Sequence, residues 1–240
     1  ALAGLVNLDA APACDSNRRL VAATMFGVTT PSVERARDRL EEAGFEVLVF
    51  HATGNGGQAM ESLISEGLIS GVLDITTTEL ADELVGGILS AGPDRLRAAG
   101  RAGVPQVISV GATDMVNFGP RGDVPDRFAD RLFYEHNPTV TLMRTTLEEN
   151  RRLGEQIGDR AAAAVGPTTL MLPLEGVSAI DRAGEPFDDP AAREALFAGI
   201  RDHHAPAELI ELPHHINDPE FADAAAMRLI ELINSQSEAG

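Results

Sequence analysis

Lysine is absent from this 240-residue chain, so all 19 basic residues are arginines. That removes chemistry needing an amine side chain, such as a Schiff base or the lysine of a Walker phosphate loop. Positive charge is scarce overall. With 37 acidic residues the formal net charge is −18, and a polyanionic surface argues against nucleic acid and anionic lipid as partners. Cysteine occurs once, as Cys14, which leaves no intrachain disulfide and suits a reducing cytosol. No apolar run approaches the roughly 20 residues that span a bilayer. The start "ALAGLV" has neither an initiator Met nor the basic stretch of a secretory leader, and it reads as cut from something longer. A cytoplasmic, soluble protein is expected.

What is present describes a globular α/β unit. Apolar residues make up 44% of the chain and charged residues 23%, enough to bury a core without staples. Residues 1–19 have the composition of a linker remaining from an upstream domain, and residues 20–240 of one Rossmann-like domain. From Leu20 onward short apolar runs alternate with amphipathic segments, the signature of βαβ units, a mostly parallel sheet and a three-layer α/β/α fold. The strands are expected in "LVAATMF", "FEVLVFHA", "GVLDIT", "PQVISVGA", "TTLMLPL" and "AELIELP". Helical stripes run through Val33, Ala36, Leu40 and Ala43, through Leu80, Ala81, Leu84, Val85 and Ile88, and through Phe221, Ala225, Leu229 and Leu232. Thr30 before Pro31 reads as an N-cap. Residues 114–138 break the pattern and read as a long functional or mobile loop, followed by a helix over 141–164.

Ligands of open parallel sheets bind outside the strand carboxyl ends, and the polar residues concentrate in the loops expected there. "GVTTPS" offers Thr29 and Thr30. "HATGNGGQ" offers Thr53, Gly54, Asn55, Gly56, Gly57 and Gln58, a loop that is either a backbone cradle for an anion at a helix N-terminus or only a tight turn. "DITTTE" brings Asp74, Thr76, Thr77, Thr78 and Glu79 together, with Asp74 costly to bury unless it is paired. Asp114, Asn117 and Arg121 follow, then His136, Asn137, Thr139, Thr141 and Arg144. The two arginines are the cations expected near an anionic substrate, because arginine forks onto carboxylates and phosphates. "GVSAID" adds Ser178 and Asp181, and "HHINDP" adds His214, His215, Asn217 and a candidate N-cap, Asp218. Asp74, Glu79, Asp114 and His215 are the candidate catalytic groups, with one histidine and Asp114 or Asp181 a candidate acid–base pair. No metal-ligand motif is evident.

These segments, "LVAATMFGVTTP", "VFHATGNGGQAME", "GVLDITTTELADELVGG", "DMVNFGPR", "HNPTVTLMRTT" and "HINDPEFADA" among them, together resemble the tomato mosaic virus resistance protein family, the Tm-one-like ATP-binding proteins. The resemblance covers residues 20 to about 226. It implies a carboxyl-terminal α/β domain of a two-domain protein, with the amino-terminal domain as partner and ATP with Mg²⁺ as a ligand of that first domain or of both together. Three functions are open. The domain binds a nucleotide or a small phosphorylated or carboxylated ligand at the strand ends, or is a non-catalytic module for homo-oligomerisation or partner binding, or is a metal-dependent hydrolase using Asp74, Asp114 and a histidine.

Overall fold

A computed structural model describes residues 19–239, with side chains through Gln236. Cys14 and all but the last residue of the linker expected over residues 1–19 lie outside the described residues. Six parallel strands form the main sheet: β1 (Leu20–Met25), β2 (Glu46–His51), β3 (Gly71–Thr76), β4 (Gln106–Gly111), β8 (Thr168–Pro173) and β9 (Glu208–Leu212), in the order β2-β1-β3-β4-β8-β9. Their apolar runs are continuous because helices cover both faces.

Helices α1 (Thr30–Glu42) and α7 (Pro219–Ala239) cover one face, where Val33, Ala36 and Leu40 meet Phe221, Ala225 and Leu229 over Val21, Ala23, Leu73 and Val107. The other face carries α2 (Asn55–Ser65), α3 (Glu79–Val85), the short α4 (Ala98–Ala102), α5 (Leu147–Ala162) and α6 (Pro190–His203). There Met60 and Ile64 pack over Ala22 and Val72, and Leu80, Leu153, Ile157 and Leu196 pack over Ile108 and Leu170. The expected three-layer α/β/α architecture is the observed one.

Several local expectations are corrected. Residues 114–138 are not a loose loop. They build β5 (Met115–Phe118), two short 3-10 turns and β6 (Phe133–Asn137), which form an antiparallel sheet β5-β7-β6 with β7 (Val140–Arg144). The helix expected from residue 141 therefore begins only at Leu147, after a capping box in which Thr146 and Glu149 satisfy each other's backbone N–H. Ile88 lies beyond α3, which ends at Gly86 with φ +97, and is exposed. At the start of α1 the N-cap position is Thr29, and Thr30 instead donates its hydroxyl to Phe26 O at 3.2 Å.

Candidate functional site

The strand order reverses between β1 and β3, so the crevice favoured for ligands opens where the loops after these strands diverge. The threonines gathered there bond one another, the backbone or Asn117. Thr29 Oγ1 lies 2.8 Å from Thr76 Oγ1, Thr77 donates to Ser109 O at 3.1 Å, and Thr78 Oγ1 accepts from Asn117 Nδ2 at 3.2 Å. All four of these threonines are buried. They knit the strand ends together. Because Thr29 is turned toward Thr76 and Phe26, it makes no side-chain capping bond to the first turn of α1.

The glycine loop is an anion cradle, and the anion it holds is the protein's own. Gly54 takes φ +84, and the N–H groups of Gly54 and Gly57 donate to Glu79 Oε1 at 2.7 and 3.1 Å. A Cβ at Gly57 would collide with that carboxylate, and one at Gly56 with the His51 carbonyl. Glu79 is fully buried, and its other oxygen accepts from Arg95 Nε at 2.6 Å. Arg95 forks onto Asp74, with Nη2 2.7 Å from Oδ1, and also reaches Glu61 at 3.3 Å. Thr24 completes Asp74's shell with an O–H bond of 2.7 Å. Glu61 in turn accepts the backbone N–H groups of Leu96 and Ala98 that open α4. Burial raises the Glu79 pKa, opposed by Arg95 and by the Gly54 N–H. Asp74 and Glu79 are thus the anionic arms of one buried ion network. Thr53 and Asn55 lie exposed beside it.

A second polar cluster closes the ends of β4 and β8. Ser178 Oγ donates to Asp114 Oδ2 at 2.8 Å, and Asp181 accepts from Arg193 at 2.9 Å and from Arg144 at 3.4 Å. Arg144 also donates to Phe187 O at 2.9 Å and to Asp114 O at 3.2 Å. His215 Nε2 lies 2.9 Å from Ser178 O, the main-chain carbonyl rather than the hydroxyl, and His215 Nδ1 accepts the Asn217 N–H. That arrangement makes neither a Ser–His pair nor a His–Asp pair. Burial lowers the His215 pKa and, together with the neighbouring Asp181, raises that of Asp114. Asp114, Arg144, Ser178, Asp181 and His215 are all buried. Asp218 accepts the His215 N–H at 2.8 Å, tying down this loop. Arg121 lies apart, exposed, with its guanidinium 3.9 Å from the centre of the Phe133 ring.

The open space lies beside these networks. A cavity of about 320 Å³ is bounded by Phe26, Gly27 and Val28 after β1, His51 at the end of β2, and His136, Asn137, Val140 and Leu142 of the β6–β7 hairpin. Gly27 leaves it open, since an added Cβ there meets nothing within 4 Å. A larger groove of about 500 Å³ runs along α2 and α4 and borders the first network, with Gln58, Glu61 and Arg95 in its lining. Among the described residues, no three His, Cys, Asp or Glu side chains are grouped to hold a metal ion. His51, Glu61, Arg95 and the hairpin are the parts of these sites not expected from the sequence. The hairpin had a legible signal, the β-branched "TVTL" after the turn residues "NP", but Arg95 had none.

Comparison with known proteins places this geometry among relatives. Residues 18–233 match the model described as "Uncharacterised protein family (UPF0261) C-terminal domain". A UPF0261 protein of Clostridium tetani is 52% identical over 97% of this chain and 58% of its own length. One from Mesorhizobium japonicum is 49% identical over 94% of this chain and 57% of its own length. The ToMV resistance protein Tm-1(GCR237) of Solanum lycopersicum is 46% identical over 88% of this chain and 28% of its own. The chain thus spans little more than half the length of the bacterial relatives it matches. Among solved structures, the esterase domain from a Rhodothermus marinus protein superposes with a TM-score of 0.43 and 15% identity, over 89% of this chain and 85% of that one. That likeness carries no argument about chemistry. No helix among the described residues is long and apolar enough to cross a membrane.

Proposed function

The chain belongs to the UPF0261 C-terminal domain family, and on that premise we propose that the domain binds a small anionic ligand at its strand carboxyl ends. The ligand class is a nucleotide or a phosphorylated or carboxylated acid. The observation that carries this reading is the cavity of about 320 Å³ beside the β1–β3 switch point. Ligand sites favour such positions and volumes of roughly 300–1,000 Å³. The cavity has apolar walls in Phe26, Val28 and Leu142 and two imidazoles, His51 and His136, able to donate to ligand oxygens. Its wall segment Phe26–Val28 leads directly into α1, whose N-terminus carries no side-chain cap.

A cavity of this size holds a base or a sugar phosphate rather than a whole nucleotide. The remainder of the ligand is covered by the amino-terminal domain of the same protein, which the greater length of the relatives supports. ATP with Mg²⁺ is the first ligand to test, because of the resemblance to the Tm-one-like proteins. The glycine loop contributes rigidity to the site, its donors being engaged by Glu79.

A second reading, an interaction module that forms homo-oligomers, draws on one observation. Strand β6 is the edge of its sheet and presents Glu135, His136 and Asn137 to solvent. Calorimetric titration of ATP–Mg²⁺, AMP, phosphate and citrate into the protein, amino-terminal domain included, separates the two. Saturable binding weakened at least tenfold by Gly27→Val, which puts a branched side chain on the cavity wall, supports the ligand site. Absence of binding, or parental affinity in Gly27→Val, refutes it.

A further inference from the structure

We infer that the groove between α3 and α5 is a separate binding site for a small oxyanion, phosphate or carboxylate, organised by Arg160 and Arg97. Arg160 on α5 is only 9% exposed, yet its Nε and Nη1 have no hydrogen-bond partner. Its Nη2 reaches only Pro93 O and Gln156 Oε1, both at 3.4 Å. No carboxylate among the described residues lies within ion-pair distance of it. The other deeply buried arginines differ, Arg95 holding three carboxylates and Arg144 meeting Asp181 and several carbonyls. A buried cation without a counter-charge is costly, so a protein that keeps one is poised to receive an anion.

The surroundings fit that role. Arg160 lines a cavity of about 400 Å³ between Glu83 and Leu84 of α3, the Pro93–Arg97 segment, and Gln156 and Asp159 of α5. Arg97 lines the same space, and its nearest carboxylate, Asp94, is 3.9 Å away. The Arg160 and Arg97 guanidiniums and the Gln156 side-chain amide therefore line one pocket, and an oxyanion reaches the unpaired Nε and Nη1 of Arg160, which are closed to solvent, by a small shift of that side chain. The two acids at the rim are engaged elsewhere. Glu83 accepts from Ser90 Oγ, and Asp159 Oδ1 lies 2.9 Å from His203 Nδ1. Burial, with Arg97 and Arg95 nearby, pulls the Arg160 pKa down to about 10 against the opposing effect of Glu61 and Glu83. This pocket and the strand-end cavity share no lining residue.

Thermal unfolding in sodium phosphate and in sodium acetate, each against chloride at equal ionic strength, tests the site. The chain is expected to show a saturable rise in Tm with phosphate, with acetate, or with both, the pattern identifying the oxyanion. Arg160→Met should remove the rise and still fold, because an apolar side chain replacing an unpaired buried ion is often neutral or stabilising. Arg97→Gln, at a partly exposed position, should weaken the response at least tenfold and serves if Arg160→Met does not fold. Gly27→Val should leave it unchanged, which separates this site from the strand-end cavity. A response to neither anion beyond chloride, or one that survives both arginine substitutions, overturns the proposal.

Discussion

At Asp82 the protein interior raises a carboxyl pKa to about 7, with burial as the main cause and bonds from Asn117 and Leu89 opposing it. Because the folded-state value exceeds the ordinary one near 3.9, Asp82 stabilises the fold fully below that ordinary value. The contribution is lost as pH rises through about 7. Asp114 acts in the same direction. Asp82→Asn removes one titration, so its Tm relative to the parent should become more favourable between pH 5 and pH 8. A relative Tm that is flat or falls across that window contradicts this assignment. Arg95 makes the opposite case. Arg95→Met would leave Asp74, Glu79 and Glu61 facing one another without a cation, and should cost about 3–5 kcal/mol in urea unfolding. At this scale the sequence was half legible. An acid inside the apolar run at Asp74 announced a partner, but one arginine among 19 carried no mark of being that partner.

Among the elements, the β2–α2 turn and the β1–α1 turn each lead a parallel strand into a helix and differ in constraint. Gly56 packs against the His51 carbonyl and Gly57 against the Glu79 carboxylate, whereas Gly27 borders open space. Gly56→Ala should therefore destabilise the fold by about 1–3 kcal/mol, the usual cost of overpacking. Gly27→Ala should leave the urea midpoint nearly unchanged while weakening ligand binding. Equal midpoints for the two variants would contradict the packing described. The parallel strands and their helices were legible because βαβ alternation repeats strongly. The β5–β7–β6 sheet was only partly so, because its strands are four or five residues long and only Thr145 and Thr146 separate β7 from α5. Antiparallel pairing across the 3-10 turns is a tertiary fact that no local period records.

In the whole molecule, the sheet order sets the switch point, the hairpin roofs the space beside it, and buried ion networks fix the loops around it. The polar residues that the sequence gathers at the strand ends serve mainly to build those networks. A cavity adjoins them, lined by His51 and His136 among others. The six histidines make the proposed ligand site directly testable. Imidazole resonances of the protein, amino-terminal domain included, can be followed by NMR as ATP–Mg²⁺ is added. His51 and His136 should shift while His203 and His204, at the end of α6, stay in place. Saturable binding that leaves His51 and His136 unmoved would contradict the proposal.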